Sequence, residues 1–180
     1  DPSADLDLFI ASDGNMASLR TAKQSPTSLL LAAASGRSME VELLLALGAD
    51  PGMCDQHPLL AAIRSGSRDT VDLFLDKAAC DALIDMPTLA ADAIRAGMEQ
   101  VLMSFAGRLK ELDAAIATDL ACLAVAFENG KVLEATLDVF YHNVAYKTLI
   151  AAARRSPKRA TLLPIALGAA RRFRAAGPPT

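Results

Sequence analysis

Two stretches of this chain repeat one another at a constant offset of 30: SPTSLLLAAASGRSMEVELLLALGAD (residues 25–50) and QHPLLAAIRSGSRDTVDLFLDKAAC (residues 56–80). Leu29 aligns with Leu59, Ala32 with Ala62, Gly36 with Gly66, Val41 with Val71, Leu43 with Leu73, Leu45 with Leu75 and Ala49 with Ala79, while Thr27 aligns with His57. A fixed period of this size marks chains built from stacked supersecondary units, each too small to bury its apolar face alone. The pattern continues more weakly. Glycines close comparable apolar runs at Gly14, Gly97 and Gly130, and Ser156 stands where a glycine would close the last.

Each unit reads as two short helices. In residues 25–50 the first spans about Thr27–Ser35 and stops at Gly36, because glycine takes a left-handed conformation at little cost. The second spans about Met39–Leu47, with Val41, Leu44 and Leu45 at helical spacing, and Gly48 stops it. Pro51 and Gly52 then turn the chain. Composition agrees: apolar residues reach 52% while aromatics are 4% and Trp is absent. The apolar mass is thus Ala and Leu, which favour close-packed helices over strands. Most methionines fall at core spacing, and no apolar run is long enough to cross a membrane.

The segment TSLLLAAASG (27–36) followed by VELLLALGAD (41–50) resembles the ankyrin-repeat motif in register from Thr27 to Asp50, and HPLLAAIRSG followed by VDLFL (71–75) resembles it nearly as well. The resemblance spans about residues 20–175 and is strongest over 25–80. It departs from the family at Leu30 and Leu60, which stand where the motif has its histidine, and at His57, which takes the threonine place. The fold it implies is an all-α solenoid of about five to six helix-turn-helix (ankyrin-type) repeats with irregular caps. Residues 1–24 would be an N-terminal cap unit, 25–155 the repeats and 156–175 a C-terminal cap helix, all in one domain. The chain begins at Asp1 rather than Met, and a piece of a longer protein is expected.

The same resemblance implies a binding face made of hairpin tips and the ends of the first helices. The two variable positions before each glycine would form a ladder, and the expected contact residues are Met53, Gln56, Arg64, Ser65, Arg95, Glu128, Asn129, Arg154 and Arg155. Arg64, Arg95, Arg154 and Arg155 would suit carboxylates, since a guanidinium pairs with them bidentately. The expected partner is therefore a protein or extended peptide, acidic in character.

Cys54-Asp55-Gln56-His57 is the densest polar cluster, but it fits a turn feeding a helix start and has no third ligand or base nearby in sequence. Phosphate-loop, dinucleotide, nucleophile-elbow and zinc-protease motifs are absent from the sequence. Cys54, Cys80 and Cys122 are far apart and odd in number, as expected of free thiols. Catalysis, cofactor and metal are thus not expected.

Charge is lopsided. Residues 1–138 hold all 21 acidic and 10 basic residues, while residues 139–180 hold 8 basic residues and no acidic one. The alternative function is therefore nucleic-acid or anionic-membrane binding through 139–180. It ranks below an end cap, because Leu162, Leu163, Ile165, Ala166, Leu167 and Ala170 form a core-facing stripe and arginines near a helix C-terminus suit its dipole. The expected setting is intracellular and cytoplasmic, which includes a host cytosol if the parent protein is a secreted effector.

Overall fold

A computed structural model describes residues 26–54, 57–76 and 84–176. The expectations placed on residues 1–24, Gln56, Ala79 and Cys80 lie outside them. The regular structure of the described residues is all helical, with no strand among them. They fall into two compact units, one ending at Ile84 and one beginning at Asp85.

In the first unit, α1 (Pro26–Ala34) pairs with α2 (Ser38–Ala46), and α3 (Pro58–Ser65) with α4 (Arg68–Asp76). Across the pairs, α1 packs on α3 and α2 on α4. The second unit repeats the scheme with three pairs: α5 (Met86–Ala96) with α6 (Glu99–Ser104) and the short α7 (Ala106–Leu109), α8 (Ala114–Ala126) with α9 (Gly130–Val139), and α10 (Tyr146–Arg155) with α11 (Arg159–Ala176). First helices pack on first helices (α5 on α8, α8 on α10) and second on second (α6 on α9, α9 on α11).

The first helices approach closely because their facing sides are alanine. Ala32, Ala62, Ala93 and Ala124 occupy one phase of α1, α3, α5 and α8 and are buried. Val41, Val71, Leu102 and Leu133 do the same in the second helices, each fully buried. Both series advance by 30, 31 and 31 residues. An aliphatic side chain buried in every unit at one phase contributes about 1.5–3 kcal/mol.

Local chemistry sets the helix boundaries. His57, Asp85 and Asn129 are N-caps whose side chains accept from Leu59 N (3.2 Å), Thr88 N (3.1 Å) and Val132 N (3.3 Å). Pro58 and Pro87 follow two of them, where a helix needs no backbone donor. At Gly36, Gly48 and Gly97 the backbone is left-handed, and the next residue's N–H returns to the carbonyl five residues back. The arrangement satisfies carbonyls that a helix end leaves orphaned.

The repeat mark at Gly130 differs from the sequence reading. The left-handed residue that follows α8 is Glu128 (φ 56°), and Gly130 instead begins α9. Gly130 is small for another reason: a Cβ there would sit 3.3 Å from Ile165 Cδ1, where α9 meets α11. The turn expected at Pro51 and Gly52 is present, and one further expectation shifts. Pro51–Met53 forms a 3₁₀ turn in which Asp50 Oδ1 accepts from Gly52 N at 2.8 Å. Met86 and Met98 are core residues as expected, but Met39 and Met103 are exposed, because they fall on the outer sides of α2 and α6.

The C-terminal helix runs Arg159–Ala176 and buries Leu162, Ala166, Ala169 and Ala170. Pro164 lies inside it, on the exposed side. Asn143 ties the loop before α10 to the chain after α7, donating from Nδ2 to the carbonyls of Lys110 and Leu112 (both 3.1 Å). Thr118 of α8 donates to Ala114 O (2.7 Å) and accepts from Ala145 N (2.9 Å), joining the fourth pair to the fifth.

Candidate functional site

A groove of about 410 Å³ runs between the two adjacent first helices α5 and α8. Pro87, Thr88, Ala91 and Arg95 line it from α5, and Ile116, Asp119, Leu120 and Leu123 from α8. Thr88, Ala91 and Arg95 are spaced three and four residues apart and Ile116, Leu120 and Leu123 four and three, so each set lies on one helix face. The cap at Asp85 fixes the mouth: its Oδ2 accepts from both the backbone N–H and the hydroxyl of Thr88, which holds that side chain at the groove. Ile116, Leu120 and Leu123 form the apolar wall, and Phe127, one turn further along the same face, is exposed. An exposed aromatic beside an apolar groove is a feature of contact surfaces.

Two charges of opposite sign flank the groove. Arg95 is held by Asp92, one turn earlier on its own helix (Nη1 to Oδ1, 3.0 Å). Asp92 is buried, so the pair is partly desolvated on the carboxylate side. Asp119 is exposed, and its carboxylate has no hydrogen bond or ion pair among the described residues. Cys122, one turn along α8, has its thiol pushed above the usual range by burial first and by the Asp119 carboxylate second.

The other residues expected at the site are not among those that line this groove. Arg64 and Ser65 end α3 in the first unit, with Arg64 in the same phase as Arg95. Ser65 Oγ is turned back onto its own helix, donating to Ala62 O at 2.7 Å. Met53 is the last residue of the 3₁₀ turn. Arg154 and Arg155 are the exposed last two residues of α10. Glu128 and Asn129 do not hold the ladder position. The two-residue register shift gives that place to Ala126 and Phe127, while Glu128 forms the turn and pairs with Lys158 (3.6 Å), and Asn129 caps α9. Sequence reasoning missed Phe127, Asp119 and the α8 wall. An even spacing of about 31 carried past Gly97 would have pointed to residue 128 rather than 130.

The basic C-terminal segment is anchored by its aromatic residue. Phe173 packs against Tyr146 (ring centroids 5.3 Å apart), Tyr141 (5.9 Å) and His142 (6.3 Å). Tyr146 donates its hydroxyl to Tyr141 O at 2.9 Å, and its phenol is pushed up to about 12, mainly by burial. Arg172 pairs with Asp138 at 3.6 Å. Among the described residues no three His, Cys, Asp or Glu side chains gather to hold a metal ion, and no helix is long and apolar enough to cross a membrane. No protein-family model matches the chain, and no curated protein matches it.

Proposed function

We propose that this chain is a protein-interaction module of degenerate ankyrin type that holds a partner protein or peptide in the groove between its first helices and carries out no catalysis. The observation that carries the reading is the α5–α8 groove: an open, largely apolar groove between two helix faces, flanked by Arg95 and Asp119 and followed on α8 by the exposed Phe127. Apolar concavities with a few placed polar groups are ordinary binding sites. The alternation of first-on-first and second-on-second helix packing at a period of 30–31 residues supports the repeat-family reading. In this reading α11 is the end cap, since Phe173 is committed to an aromatic cluster and Arg172 to Asp138. The intracellular, cytoplasmic setting is part of the proposal.

The test is a selection of random twelve-residue peptides displayed on phage against the intact chain. Peptides should be recovered whose binding is lost with Leu123→Glu while the helical circular dichroism spectrum is unchanged. Selected peptides that bind Leu123→Glu as well as the parent chain place the interface elsewhere.

A further inference from the structure

The sequence suggests a groove that selects acidic partners, because arginines recur before the glycines. The geometry reverses this for the α5–α8 groove. Arg95 is already neutralised by Asp92 at 3.0 Å, within its own helix. Facing the same groove from α8, Asp119 is exposed and carries no compensating cation among the described residues. Beside the Asp92–Arg95 pair, the groove carries the Asp119 carboxylate at its apolar wall and the Asp85 carboxylate, engaged with Thr88, at its mouth.

We propose that this groove selects an apolar segment of a partner protein that carries a lysine or arginine, with Asp119 as its counter-charge. The inference rests on the groove reading above and adds the chemistry of the partner. The apolar part of the segment lies along Ile116, Leu120 and Leu123. A cationic side chain reaches Asp119 with its stem over apolar surface, as long basic side chains do. A carboxylate at the same register is repelled by Asp119 and finds Arg95 already engaged. Charge placed this way discriminates between partners more than it adds affinity.

The experiment uses the intact chain, the phage-selected peptides described above, and Asp119→Asn and Asp119→Lys variants checked for unchanged helicity. The expected result is a pool in which Lys or Arg recurs at one register beside an apolar run. Affinity should fall about fivefold with Asp119→Asn, the size of an exposed ion pair. A Glu-for-Lys version of the best peptide should bind Asp119→Lys better than it binds the parent chain. Leu123-dependent peptides that carry Asp or Glu at that register, or that ignore both Asp119 variants, overturn this inference and leave the groove reading standing. A pool with no Leu123-dependent peptide overturns both.

Discussion

His57 belongs to the densest polar cluster of the sequence, is expected at a helix start, and is the N-cap of α3 in the structure. Its Nδ1 must be unprotonated to accept from Leu59 N at 3.2 Å, and the residue is buried. Burial lowers its basicity below the usual value of 6.5. The unfolded chain therefore takes up the proton first as pH falls. The cap's contribution is full above pH 6.5 and is lost as pH falls through the lower folded value. Denaturant titrations between pH 7.5 and 5 should show this loss, and His57→Asn, which keeps a capping oxygen but does not titrate, should flatten it. Glu128 offers a second test. A non-glycine residue in left-handed geometry carries about 1–2 kcal/mol of strain. Its partly exposed pair with Lys158 returns no more than about 1 kcal/mol. Glu128→Gly should therefore stabilise the protein by about 1 kcal/mol in chemical denaturation. An unchanged or lower midpoint would mean that the turn is not strained.

Among the elements, α11 is the one whose sequence opposes its structure. Pro164 lies in its interior, where it removes a backbone donor and crowds the carbonyl of Ala160. Both residues are on the exposed side, so water serves the freed carbonyl, while Leu162, Ala166 and Ala169 keep the opposite side packed. Tertiary packing thus outweighs a local preference of about 3 kcal/mol. Pro164→Ala should raise stability by about 1–3 kcal/mol, read as a higher thermal midpoint of the helical signal. A decrease would show that the proline shapes the packing of α11 rather than being tolerated in it. The paired helices α8 and α9 show how register is set. Ala124 and Leu133 must reach the same buried phase as Ala93 and Leu102, and this places the turn at Glu128, two residues before the glycine that looks like a stop.

At the scale of the molecule, the described residues fall into two compact units. The second has a core of its own, in which Leu89, Ile94, Leu102, Leu109, Leu133 and Phe140 are fully buried. We expect a fragment of residues 85–180 to be helical and to unfold cooperatively by itself. A fragment without helical signal or cooperative melting would show that its core depends on the residues before it. This unit also contains the whole α5–α8 groove, so the fragment should keep the peptide binding proposed for the intact chain.

The helices and their order were legible because their causes are local. Gly36, Gly66 and Gly97 end helices through their own backbone freedom, and Pro58 and Pro87 start them through their own missing donor. The alanine-rich first helices and the Val–Leu second helices announced an all-helical stack for the same reason: burial at a fixed phase repeats in the sequence. The site was legible only in part. Arg95 was found as an exposed position before a glycine, but its pairing with Asp92, the opposing Asp119 wall and the exposure of Phe127 arise where two helices about 30 residues apart in sequence come together. A chain read alone gives the charge of each residue. The net charge of a groove depends on which residues share it, and only the packing of α5 on α8 decides that.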